Sequence, residues 1–295
     1  TMTDNQTGTS NVAIGEYALS SNTTGNSNVA IGSRALGGST GSSNVAVGAN
    51  ALYNNTTQSN LVAVGDSALY SNGNGATLWY HAINNTAIGS KAGFANTVGT
   101  SNTFVGNSSG YSNTSGGFNT GVGASTLLNN TTGNYNAAVG LNSLRNNSTG
   151  INNSALGFES MYYNTSGSSN TAIGLGALTH NTTGYSNIAI GVYAAFSNTT
   201  QANLVAVGDS ALYNNSTGYL NTALGSKTLW LNTTGFDNTA LGSRALQNNT
   251  SGWNNTAVGI EALINNSTGN YNTAIGSNSL YANTTGYRNT TVGEG

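Results

Sequence analysis

Cysteine and proline are both missing from the 295 residues, and only 5% of the chain is charged. Without cysteine there is no disulfide, no thiolate nucleophile and no thiolate metal ligand, so stability must come from backbone ladders and packing. A net charge of -2 provides neither a basic face for nucleic acid nor an acidic tail. No run approaches 18 consecutive apolar residues, so nothing reads as a membrane-inserting helix, and the opening TMTDNQTGTS lacks the basic and apolar leader of a secretion signal. The two histidines, His81 and His180, stand far apart without a zinc-type spacing and are expected to face solvent. Carboxylates such as Asp66, Asp209, Glu159 and Glu261 are scattered singly, which suggests no acid/base pair, and the repeated Asp of a nonapeptide calcium roll is missing. The expectation is a non-catalytic protein without cofactor or metal.

What the chain does have is a period. A Gly following a small apolar triplet recurs at 15, 32, 48, 65, 89, 106, 123, 140, 157, 174, 191, 208, 225, 242, 259, 276 and 293. The step is 17 residues except for 16 before Gly48 and 24 before Gly89. The unit reads N-T-A-I-G-x-x-A-L-x-x-N-T-T-G-x-x, as in Asn272 to Arg288. Apolar runs of about two residues punctuated by Gly, Asn and Thr argue against helix. They predict an all-β chain, a parallel β-solenoid (β-roll) of about seventeen coils with two short strands in each. At about 4.8 Å per coil the whole would be on the order of 80 Å long. Residues 1–10 read as a lead-in and 11–295 as one repeat domain, with an enlarged coil at 66–89. The end at Gly295, partway through a unit, suggests a piece of something longer.

The columns of the repeat carry further expectations. The glycine after the triplet suits a corner needing positive φ, and the Asn of Asn-Thr-Thr-Gly suits a second corner with a stacked amide ladder. Gln58 and Gln201, which replace that second glycine, imply altered turns. Neighbouring strand residues point to opposite faces, so Ile14, Val139 and Ile275 are expected to fill the interior. Ala13, Ala138 and Ala274 would then form an outer stripe packed against sister chains. A thin core per coil points the same way, toward self-association.

The segments Asn11-Val12-Ala13-Ile14-Gly15, Asn28-Val29-Ala30-Ile31-Gly32 and Asn44-Val45-Ala46-Val47-Gly48 resemble the N-S-V-A-I-G repeats in head domains of trimeric autotransporter adhesins. Similar Asn-Thr-Gly-rich repeats occur in phage-type tail-fibre proteins. The resemblance implies a left-handed parallel β-roll in a trimer, displayed extracellularly on a cell surface or virion and used for attachment. The family's unit is commonly nearer 14 residues, so the Asn-Thr-Thr-Gly corner departs from its pattern.

Candidate sites follow from departures and from ordered columns. The seven extra residues of the enlarged coil bring Leu78, Trp79, Tyr80 and His81 together as a candidate binding loop for a surface glycan or protein receptor. Asn22, Asn55, Asn130, Asn181, Asn198, Asn232 and Asn283 match the N-glycosylation pattern, with a turn-stabilising Asn ladder as the competing explanation. Aromatics after the Leu, among them Tyr53, Tyr70, Phe94, Tyr111, Tyr162, Phe196, Tyr213, Trp230 and Tyr281, would grip saccharide rings or pack at a corner. Thr86, Thr120, Thr171, Thr222, Thr239, Thr256 and Thr273 form a column that Val12, Val29, Val45, Val62, Ala137, Ile188 and Val205 interrupt. Residues 44–70 nearly recur at 187–213, as expected of an element that grows by copying. The leading expectation is an oligomeric fibre or adhesin segment. Alternatives are a filament or matrix subunit, glycosylated if the Asn sites are used, and an ice-binding solenoid.

Overall fold

The structure is a computed structural model and describes residues 1–295. It is all-β, a parallel β-solenoid whose seventeen strands of three residues each recur at the repeat spacing. Two compact units divide the chain, Thr1–Ile151 and Asn152–Gly295. In the first, β1 (Val12–Ile14) to β8 (Ala137–Val139) pair successively in parallel; in the second, β9 (Ser154–Leu156) to β17 (Thr290–Val292) do the same. Register is exact in both: Val12, Ala13 and Ile14 lie opposite Val29, Ala30 and Ile31, and the same columns continue through the unit. The lead-in is not separate, because Met2 and Asp4 donate backbone hydrogen bonds to Ala18 and Ser20 as a partial first coil.

Only one strand forms per coil, not two. The second apolar cluster cannot be extended, because its Leu takes a left-handed backbone, with φ of 53° at Leu19 and 50° at Leu36. Coils are still stitched there: the Leu19 amide donates to the Ala35 carbonyl at 3.0 Å and the Leu36 amide to Ala51 at 3.0 Å. The glycine after each strand has the positive φ expected of it, +126° at Gly242. Its neighbour one coil on adds a second reason, since a Cβ on Gly242 would lie 2.4 Å from the Gly259 carbonyl oxygen.

The two faces of the strand are the reverse of the expectation. Ala138 and Ala274 are fully buried and Ala13, on the first coil, half-buried, whereas Ile14, Val139 and Ile275 are exposed. The cause is the width of the interior. Most coils already place there an Ala, Ser or Thr followed by a Leu, and two Asn side chains, which leaves room for a methyl.

One coil confirms this by exception. Phe104 occupies the Ala column and is fully buried, and Gly93 and Gly110 stand where most other coils carry Leu. A Cβ on Gly110 would come within 2.4 Å of the Phe104 ring, and one on Gly93 within 3.1 Å. The benzyl group thus fills the space of two absent Leu side chains. At the next strand Gly121 replaces Ala to admit two bonded hydroxyls, Ser109 and Thr126, 2.7 Å apart.

Two asparagine columns run inside each unit. Asn232 Nδ2 donates to Asn215 Oδ1 at 2.8 Å and to the Gly235 carbonyl at 2.9 Å, while its own Oδ1 accepts from Asn249 Nδ2 at 2.8 Å. In the second column Asn238 Nδ2 donates to Asn221 Oδ1 and the Gly252 carbonyl, and its Oδ1 accepts the Asn255 backbone amide at 3.0 Å. The first column therefore closes the Asn-Thr-Thr-Gly corner and joins most coils to the next, lapsing between Asn22 and Ser39 and between Asn198 and Asn215. A Cβ on Gly235 would meet Asn232 Oδ1 at 2.3 Å, so the corner glycine answers to space and not to a left-handed φ.

Candidate functional site

The enlarged coil keeps the ladders and pushes its extra residues outside them. Asn72 Nδ2 donates to Ala82 O at 2.9 Å and its Oδ1 accepts from Asn96 at 2.8 Å, so the inner column passes through as though the insertion were absent. Gly73 and Gly75, with φ of 78° and 80°, turn the chain out of the coil. Gln58 underlies that exit. Its Oε1 accepts from the Thr56 and Thr57 amides, which in regular coils find a carbonyl of the next coil. Its carbonyl still accepts Asn55 Nδ2 at 3.0 Å, so the altered turn expected at Gln58 is confined to the amides. Gln201 does likewise, its Oε1 accepting the Thr200 amide at 3.2 Å, and beside it Asn198 Oδ1 is buried without a hydrogen bond.

On this support Trp79 stands 86% exposed, with Leu78 and Tyr80 also exposed. Trp79 meets Tyr80 edge-on at 5.5 Å, and Tyr80 meets His81 edge-on at 5.1 Å. The loop overhangs a groove of about 320 Å³ lined by Thr57, Gln58, Ser59, Asn60, Leu78, Trp79 and Ile83. His81 is half-buried, contrary to the solvent-facing expectation, and its Nδ1 is enclosed without a partner. His180 is also half-buried, between Tyr163 and Phe196, with Nδ1 3.2 Å from the Phe196 carbonyl oxygen. No three of His, Cys, Asp or Glu come together anywhere in the chain, and no helix is long and apolar enough to cross a membrane.

The glycosylation candidates lie elsewhere than a glycan would need. Asn22, Asn55, Asn130, Asn181, Asn198 and Asn232 are fully buried and Asn283 half-buried, all in the first ladder. Their Nδ2 atoms, where sugar would be attached, already donate inward: Asn130 to Asn113, Asn181 to Asn164, Asn283 to Asn266, each at 2.8 Å. The folded chain offers no free amide at these positions.

No protein-family model matches the chain, and no curated protein matches it. What distinguishes the surface is therefore its own geometry. The outward side of the strands carries the column Ile14, Ile31, Ile88, Val122, Val139 in the first unit and Leu156, Ile173, Ile190, Leu224, Ile275 in the second, all exposed. Beside it on the same side runs the Thr and Val column, which the alternation of the triplet places there as well.

Aromatic columns lie on the turns. Tyr53, Tyr70, Phe94 and Tyr111 stack successively with centroids 5.4, 5.1 and 5.1 Å apart. A second column, which the sequence reading missed, sits two residues before the second Asn: Tyr219, Phe236 and Trp253 at 5.0 and 5.3 Å. The period alone would have revealed it, since these residues are 17 apart.

Proposed function

We propose that this chain is a non-catalytic structural segment of an extracellular fibre or adhesin, and that it works as a homo-oligomer held through its exposed strand face. One observation carries the reading: an Ile, Val and Leu column on the outward side of the strands, unbroken in sequence through both units and exposed at ten or more of its positions, in a chain with few charged residues. Soluble chains seldom leave so long an apolar stripe bare. The partner that fits it best is a second copy, because only a surface with the same axial repeat meets every coil in the same way. Covering each Ile or Leu would add about 1 kcal/mol, which accumulates along the column. The resemblance to trimeric adhesin heads favours three chains. The exposed Trp79 loop supports attachment, since a bare indole on an ordered base suits contact with a receptor.

Sedimentation equilibrium at micromolar concentration tests the association. The wild-type chain is expected to sediment as a multiple of 29.7 kDa. A variant with Ile173→Lys and Ile190→Lys is expected to fall to a single chain with unchanged circular dichroism, since both side chains point outward. A monomeric wild type would sink the proposal.

A second reading rests on a different feature of the same face. Thr222, Thr239, Thr256, Thr273 and Thr290 form an uninterrupted run, paired across each strand with an outward Leu, Val or Ile. Such a regular array of hydroxyls and methyls suits ice. Thermal hysteresis by a monomeric chain would establish that reading, and freezing at the equilibrium point would remove it.

A further inference from the structure

The short coil before Gly48 leaves a gap in an aromatic ladder, and the gap is furnished. Stacking runs from Tyr111 through Phe94 and Tyr70 to Tyr53, and stops there because the next position is Gly37. Tyr70 covers one face of the Tyr53 ring. On the other, a Cβ built on Gly37 would lie 3.5 Å from Tyr53 Cε2 and 3.6 Å from Cδ2, the distance of an ordinary packed neighbour, with the Arg34 carbonyl oxygen a little nearer at 3.3 Å. Position 37 is thus where a fifth ring would stack, and glycine leaves that slot open. Gly38 beside it widens the opening, because a Cβ there would meet nothing closer than 3.7 Å. The shortened corner keeps its structure through Ser39, whose hydroxyl takes the place of the ladder amide and accepts Asn55 Nδ2 at 2.9 Å.

The resulting groove has a volume of about 560 Å³, ample for one or two pyranose rings. Its walls include Tyr17, Ser20, Ser21, Arg34, Tyr53 and Asn54. Three polar groups are without a side-chain partner there: the Arg34 guanidinium, the Asn54 amide and the Ser21 hydroxyl. No carboxylate lines the groove, so nothing within it neutralises Arg34. An aromatic face, amide and hydroxyl groups at its margin and one unopposed guanidinium are the chemistry that receives a sugar ring bearing a carboxylate. None of the outward strand residues lines the groove, so this site stands apart from chain association and can fail or hold independently of it.

We infer that the groove at Gly37 binds an acidic saccharide, with one pyranose ring stacked on Tyr53 in the vacant ladder position and its carboxylate paired to Arg34. The probe is trigalacturonate, with neutral trigalactose and 1-naphthoate as comparisons, observed by saturation-transfer NMR on the full chain. Trigalacturonate is expected to bind at least about tenfold more tightly than trigalactose, the difference of one charge-assisted pair. Gly37→Tyr is expected to abolish binding while folding normally. Position 37 has no left-handed φ, and the new ring would extend a stack already four deep. Arg34→Gln is expected to leave the fold intact and bring the two sugars to equal affinity. The inference is overturned if Gly37→Tyr binds trigalacturonate as wild type does, or if Arg34→Gln keeps the preference for the acidic sugar. It is also overturned if naphthoate binds and neither sugar does, which would make the slot a site for flat aromatics, or if no probe binds at millimolar concentration.

Discussion

Phe104→Ala lowers stability by about 3–5 kcal/mol, and adding Gly93→Leu and Gly110→Leu restores most of that loss. The first half is the usual cost of emptying a buried benzyl site, here fully enclosed among Gly93, Gly110, Leu69 and Gly121. The second follows from the repeat. Most other coils hold Ala in the strand with Leu on the turn, so the triple variant gives this region the commonest arrangement of the repeat. Gly93 and Gly110 have φ of 60° and 61°, close to the 50° of Leu127 and the 49° of Leu144, so the backbone already accepts Leu. Gly110→Leu alone should be worse than Phe104→Ala alone, because its Cβ would enter the Phe104 ring. Urea midpoints of the single, double and triple variants measure the coupling. Additive losses, with no recovery in the triple variant, would show that the interior is not shared in this way.

The second large effect is expected at the amide ladder. Asn232→Ala removes three hydrogen bonds and leaves Asn215 Oδ1 and one N–H of Asn249 buried without partners. At roughly 1–3 kcal/mol for each orphaned group, the loss is about 3 kcal/mol. Asn232→Asp costs more at neutral pH, because a carboxylate would face the Asn215 oxygen and the Gly235 carbonyl, both acceptors. Asn283→Ala serves as the control. It lies at the open end of the second unit, half-buried, and is expected to cost about 1 kcal/mol. Equal losses at 232 and 283 in the same denaturation series would mean that the amides act singly and not as a column.

The period, the parallel pairing, the glycine corner and the amide ladder were legible in the sequence because each is a column property. A 17-residue step that recurs with glycine and asparagine in fixed places leaves few other ways to satisfy the backbone. Which face of the triplet turns inward was not legible from alternation, since Thr-Ala-Ile is partly apolar on both sides. Interior width decides that, and width depends on the company of the Leu and Asn columns. A signal was present: the one Phe of the Ala column coincides with Gly at both flanking Leu positions, a compensation that makes sense only if Ala faces in. The second strand failed for a local reason, because a Leu at left-handed φ cannot be told from an extended one by its neighbours. The enlarged coil was readable as an interruption of period, whereas the groove at Gly37 was not, because its aromatic wall comes from Tyr53, one coil later.

The way the ladders handle irregular coils bears on how such a chain can change over generations. Seven residues between Asn72 and Ala82 are excluded from every column, and the residue missing near Gly37 is absorbed by a serine that imitates an asparagine. Whole units can be copied, as the near-recurrence of 44–70 at 187–213 records, because a copied unit arrives with all its bonding partners in phase. Anything that is not a whole unit must bulge outward or leave a notch. Heritable novelty is thereby directed to the outside, while the inner columns are passed on almost unaltered.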